Sequence, residues 1–148
     1  MLTQSLPKRH LKPGGWIEFQ SVTGVIRCDD GTVTDNNAMR QFSNALADST
    51  AIFGTPVDDP VRWKGWLEER GFEDVTEVVY KIPCNPWPRD PRLKLVGAFE
   101  MENLLFGLSG MTARLFSKTL KWSPEQVEMF LIDVRREIKN RNVHAYWP

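Results

Sequence analysis

The sequence is poor in the residues that most often carry chemistry. It holds two cysteines and two histidines in 148 residues. Two cysteines, Cys28 and Cys84, cannot build the multi-bridge scaffold of a small secreted domain, so a reduced intracellular state is the expectation. Together with His10 and His144 they supply the soft metal ligands, and no two of the four stand at a spacing such as C-x-x-C or H-x-x-x-H. No metal site is therefore expected. A G-x-S-x-G elbow is missing, and a nucleophilic Cys–His pair does not follow from two of each. Long apolar runs are missing too. Nothing approaches the roughly 20 residues of a membrane span, and Met1-Leu2-Thr3-Gln4-Ser5-Leu6-Pro7 lacks the apolar stretch of a signal peptide. A cytoplasmic location, away from membranes, is the expectation. An excess of one charge sign is also lacking: Lys plus Arg and Asp plus Glu both number 19. Nothing in that balance recommends nucleic acid as a partner, and weak repulsion between copies eases self-association.

Aromatic residues are what the chain has in quantity, with six Trp and eight Phe. Such side chains build cores and flat-ligand pockets. The length fits a single domain over 1–148, burying roughly 68–70% of the surface that the unfolded chain exposes.

The first eleven residues read as the tail of a helix stopped by Pro13-Gly14-Gly15. Residues 16–22 alternate, with Ile17 and Phe19 on one face, and predict a strand. Asp29-Asp30-Gly31 is a turn signal, so residues 25–33 predict a short hairpin. Residues 35–53 predict a helix with Met39, Phe42, Ala45 and Leu46 near one stripe. A second helix opens at Asp59-Pro60 and stops at Gly71, with Phe72 placed to close its end. Residues 75–82 alternate again and predict a half-buried strand. A proline-rich connection follows, and Asp90-Pro91 opens a helix that is apolar on most sides. A helix of that kind is buried all round or lines a cavity. Gly107 and Gly110 are expected to break it before residues 111–120 resume. The last helix is announced by Ser123-Pro124-Glu125-Gln126 and by the stripe of Val127, Phe130, Leu131, Val134 and Ile138. The class is α/β, in practice α+β: two or three strands under a mainly helical cover.

Polar residues on apolar elements mark the candidate sites. Glu18 and Gln20 point the same way from the first predicted strand, toward solvent or a site. Glu100 and Asn103 lie one turn apart on the most apolar helix, paired with each other or reaching a ligand. Trp87 is held between two prolines, so its orientation costs little entropy on folding. Gly14-Gly15 precedes a strand, the wrong order for a phosphate or dinucleotide cradle.

Leu11-Lys12-Pro13-Gly14-Gly15-Trp16-Ile17-Glu18 resembles the approach to the fifth strand of class I S-adenosylmethionine-dependent methyltransferases. The segment from Asn85-Pro86-Trp87-Pro88 to Leu93-Lys94, then Asn103-Leu104-Leu105-Phe106-Gly107-Leu108, then His144-Ala145-Tyr146, resemble the fungal LaeA-like branch. The resemblance covers nearly the whole chain. It implies a C-terminal, acceptor-covering half of the fold, with Gln20, Trp87, Phe99, Asn103 and Phe106 as candidates to bind a small hydrophobic natural product. It also implies that the elements holding S-adenosylmethionine in the family precede the matched region, so no cofactor is expected in this chain. In the class I sheet a last strand separates the fifth and sixth. Here the matched region stops at Tyr146-Trp147-Pro148, and the bare edges are expected to be covered by dimerisation, by element exchange or by the chain's own hairpin.

Two functions follow. One is a truncated methyltransferase-like protein that does not methylate alone and acts as a homodimer or beside a methyltransferase-like partner subunit. The other is a cofactor-independent cyclase, isomerase or dehydratase, with Glu18, His10 or His144 as acid or base. A third reading is a fragment with no role of its own.

Overall fold

A computed structural model of the chain describes residues 11–148. Its helices are α1 (Ala38–Phe53), the six-residue α2 (Trp63–Glu68), α3 (Pro91–Thr119) and α4 (Pro124–Lys139). Two short strands, β1 (Ile82–Pro83) and β2 (Tyr146–Trp147), pair antiparallel. The class is mixed α/β and largely helical. The expected helix tail at the start of the chain lies almost wholly outside the described residues.

The three long helices begin where the sequence supplies caps. The Asn37 side chain accepts the Met39 amide at 2.9 Å. Asp90 accepts the amides of Arg92 and Leu93, both at 2.9 Å, ahead of Pro91. Ser123 and Gln126 close a reciprocal capping box. Each device satisfies amides that have no intrahelical acceptor. Gly54, at φ +85°, ends α1 in the left-handed conformation that glycine tolerates.

Burial then orients these helices. Met39 and Phe42 of α1, Leu104, Leu108 and Phe116 of α3, and Val127, Leu131, Val134 and Ile138 of α4 form the core. Phe116 is its centre, with ring centroids 6.5 Å from Phe42 and 5.6 Å from Trp122. Each such side chain contributes about 1.5–3 kcal/mol on burial.

Four expectations are corrected. Gly107 and Gly110 do not interrupt α3, which runs unbroken for 29 residues. Leu104, Leu108, Thr112 and Phe116 recur every four residues and stay buried across the glycines. That continuous stripe outweighs the roughly 1 kcal/mol each glycine costs. Nor is α3 buried all round: Leu95, Phe99 and Phe106 are 59%, 70% and 95% exposed. The second helix does not use Asp59 as a side-chain cap. Asp58 and Asp59 instead hold Arg62 at 2.6 and 2.9 Å over a 3₁₀ turn, Asp59–Arg62.

The fourth correction concerns the sheet. Residues 16–22 form no strand, and of the 75–82 segment only Ile82 is in one. Residues 25–33 turn at Gly31 (φ +76°) without pairing to themselves. Arg27 instead exchanges both backbone hydrogen bonds with Tyr146, at 2.8 and 2.9 Å. Alternation marks a segment that can bury one face; it does not provide a partner for the backbone. The expected gap is filled at one end, because β2 lies between Arg27 and β1, antiparallel to both.

Two glycines on α3 separate packing from propensity. A Cβ on Gly97 would come 2.1 Å from the Asn85 carbonyl oxygen, whereas Gly110 faces open space. Gly97→Ala is expected to lower unfolding free energy by about 1–3 kcal/mol. Gly110→Ala is expected to raise it by about 0.5–1 kcal/mol. Urea midpoints of the two variants check both signs.

Candidate functional site

The turn at Asp29-Asp30-Gly31 and the end of the chain meet in a cluster of hydrogen-bonded polar side chains. Asp30 Oδ1 accepts from the Thr32 amide at 3.1 Å, the Thr32 hydroxyl at 2.9 Å and the Cys28 thiol at 3.1 Å. Asp30 Oδ2 pairs with His144 Nδ1. These donors, His144 foremost and then Cys28, hold the Asp30 carboxyl well below the usual carboxylate range. A carboxylate only accepts, so Nδ1 carries the proton and Nε2 is the imidazole's other reactive position. The His144 amide donates to the Thr32 hydroxyl at 2.9 Å. Trp87 stacks on the imidazole, with centroids 4.7 Å apart and planes at 27°, and its indole N–H donates to the Ala145 carbonyl at 3.1 Å.

Asp29 completes the other side. It accepts from Lys81 at 2.5 Å and from the Tyr146 hydroxyl at 2.8 Å, while the Lys81 ammonium lies 4.9 Å from the Tyr146 ring centroid. The Lys81 hydrogen bond lowers the Asp29 pKa, and Asp29 in turn raises that of Lys81. Burial, then the bond to Asp29, raises that of Tyr146. The arrangement can hold a proton at His144 Nε2 in a defined orientation. Cys84 is different: burial, with Glu100 nearby, pushes its thiol upward, which makes it an inert core residue.

Of the residues singled out in the sequence, the structure brings Trp87 and His144 together. His10 lies outside the described residues. Glu18 and Gln20 are both exposed, and Gln20 donates to Glu18 at 2.7 Å. Asn103 donates to Glu100 at 3.2 Å, and Glu100 also receives the Trp147 indole N–H at 3.0 Å. Phe99 and Phe106 stand exposed on α3, while Trp87 packs against His144. A separate cleft of about 1090 Å³ lies between residues 11–19 and residues 72–80, over the α2 side. Glu18 lines it; Gln20, Trp87, Phe99, Asn103, Phe106 and His144 do not. Asp29, Asp30, Lys81 and Tyr146 were not singled out as site residues, because their partners lie 52–117 positions away. Among the described residues no three His, Cys, Asp or Glu side chains are placed to hold a metal ion, and no helix is long and apolar enough to cross a membrane.

A short antiparallel sheet under a three-helix cover, joined by an aromatic, proline-rich connection, agrees with the C-terminal portion of a methyltransferase-type protein. The relatives specify this further. The chain is 36% identical over 93% of its length to a probable methyltransferase, tdiE, of Emericella nidulans, of which it spans 44%. It is 36% identical to a secondary metabolism regulator of Cochliobolus heterostrophus, spanning 45% of it. It is 28% identical to the protein-methionine methyltransferase laeA of Emericella nidulans, spanning 37%. The chain is similar to the C-terminal part of these fungal methyltransferases and LaeA regulators of secondary metabolism. It spans less than half the length of these relatives. No family model and no solved structure matches it.

The Asp30 clasp has a defined pH signature. A carboxyl whose folded pKa is depressed adds stability that is present above its unfolded value, about 3.9, and lost as pH falls toward the folded value. The urea midpoint of the wild type is expected to exceed that of Asp30→Asn near pH 5, with the difference shrinking as pH drops below about 4. A difference that stays constant down to about pH 2 refutes the clasp.

Proposed function

We propose that this chain is the acceptor-side part of a methyltransferase-type protein of fungal secondary metabolism, that it does not transfer methyl groups by itself, and that it works as a partner subunit. The observation that carries this reading is the unpaired backbone around the cleft. Among the described residues, no backbone group of residues 16–22 or 75–80 hydrogen-bonds another backbone group. Bare edges of this kind recruit another chain, and zero net charge leaves little repulsion between copies. The relatives named as methyltransferases are more than twice as long as the matched region.

S-adenosylmethionine does not fit the residues present. Gly14-Gly15 is the only Gly-Gly step in the sequence. It closes a tight turn in which the Gly15 amide is spent on the Lys12 carbonyl at 2.9 Å, and it leads into an extended segment. A nucleoside cradle needs amides free at a strand-to-helix turn. Calorimetric titration of the purified chain with S-adenosylmethionine is expected to show no binding tighter than millimolar. Micromolar binding refutes the reading. Sedimentation at micromolar concentration is expected to give a species heavier than the 17.1 kDa monomer; a stable monomer assigns the partner role to a different, methyltransferase-like chain.

A second reading, cofactor-independent acid–base chemistry, is favoured by the orientation that Asp30 and Trp87 impose on His144. It has less support, because the cleft between residues 11–19 and 72–80 does not include that imidazole.

A further inference from the structure

We infer that the open side of the α3–α4 pair is a contact surface for a second copy of this chain, so that α3 and α4 of one copy pack on α3 and α4 of the other. The inference rests on the partner-subunit reading and names the surface and its occupant. The seam between the two helices locates the surface. The Ser109 hydroxyl on α3 donates to Glu128 at 2.7 Å and accepts from Arg135 at 2.7 Å, both of them on α4. Phe106 lies one turn before Ser109, and Ile132 lies one turn from both Glu128 and Arg135, so these two flank the seam. Phe99 and Leu95 extend the ridge along α3, seven and then four residues earlier, and Met129 extends it along α4. All five side chains are exposed, Met129 and Ile132 at 67% and 55%.

Side-chain burial alone accepts many partners, and three observations single out an identical face. Area is the first. The ridge offers on the order of 600 Å² per copy, close to the roughly 800 Å² per partner of a specific interface, and a polar rim supplies the remainder. Charge is the second. Arg135 is paired with Glu128 at 3.1 Å and Arg136 with Asp133 at 2.9 Å. A strongly acidic or basic partner finds little complement there, whereas two such faces meet without repulsion between unpaired like charges on α4. Gly110 is the third. It stands one turn after Phe106, costs α3 about 1 kcal/mol relative to Ala, and a Cβ there would meet nothing within 4 Å. No contact among the described residues explains it, and an outward-facing glycine lets a second helix backbone approach closely. A two-fold axis then uses each of these features twice. Glu102 interrupts the ridge between Phe99 and Phe106. The association is therefore reversible, with a Kd on the order of 10 μM.

Sedimentation equilibrium of the full chain between about 1 and 100 μM tests the surface. The wild type is expected to pass from the 17.1 kDa monomer to a dimer of twice that mass. Phe106→Glu and Ile132→Glu, one on each helix, are each expected to weaken association at least about tenfold. Both side chains are exposed, so circular dichroism is expected to show unchanged helix content. Phe53→Glu, at an exposed phenylalanine of α1, and Val79→Glu, in the cleft, are expected to leave association unchanged. A wild type that stays monomeric throughout overturns the surface, as does a dimer insensitive to both ridge variants. A dimer dissociated by Val79→Glu alone moves the contact to the cleft, which rejects this surface and leaves the partner-subunit reading standing. Micromolar binding of S-adenosylmethionine by a chain that dimerises through the ridge rejects that reading alone.

Discussion

The strip of residues 143–147 is the constraint on which the rest of the structure depends. Val143, Ala145, Tyr146 and Trp147 are all buried. Within five residues the strip binds three separate parts of the chain. Tyr146 pairs with Arg27, the Ala145 carbonyl accepts from the Cys84 amide and from Trp87, and the Trp147 indole reaches Glu100 on α3. Asn85 adds a buried tie, donating to the carbonyls of Asn140 and Val143 at 3.1 Å each. Without this strip neither Arg27 nor β1 has a ladder partner among the described residues. The partners are 47–119 positions apart in the sequence, so the closure entropy of long loops must be met before these contacts form. The helices α1, α3 and α4 are announced locally by their stripes and caps, although packing α1 on α3 and α4 closes loops of comparable length.

That contrast explains what the sequence made legible. Ser123 with Gln126, Asp90 with Pro91, and the fourfold spacing of Leu104, Leu108 and Phe116 each state a helix within one or two turns of chain. Strands have no equivalent local statement. Residues 16–22 and 75–82 alternate as strands do, yet their backbones find no partner, while Tyr146 and Trp147, with no alternation to announce them, form the central strand because of where residues 27 and 82–83 are held. The glycines of α3 make the same point from the other direction. Gly107 and Gly110 read locally as a break, and long-range burial of Leu108 and Thr112 overrides them.

The polar cluster divides along the same line. Asp29-Asp30-Gly31 is readable as a turn, and Trp87 between prolines as a fixed ring, but nothing near either names His144 or Tyr146 as the counterpart. Once the strip is in place the cluster follows. Tyr146 pairs with Arg27 through its backbone, which sets its hydroxyl against Asp29, and two residues earlier His144 meets Asp30 and Trp87. The His144–Asp30 pair therefore reports on the fold's closure as directly as on any chemistry. An imidazole oriented this well and only partly covered can serve either end.

Two apolar surfaces remain, and they differ in kind. On α3 the open stripe of Leu95, Phe99 and Phe106 belongs to a helix whose backbone is already satisfied, so any cover gains side-chain burial alone. Contacts of that sort tolerate many partners and many orientations. At the cleft the exposed side chains sit on a backbone that is unpaired among the described residues, with the Thr23 hydroxyl lacking a partner among them at one end. Cover at the cleft therefore gains backbone pairing as well as side-chain burial, whereas cover on α3 gains burial alone.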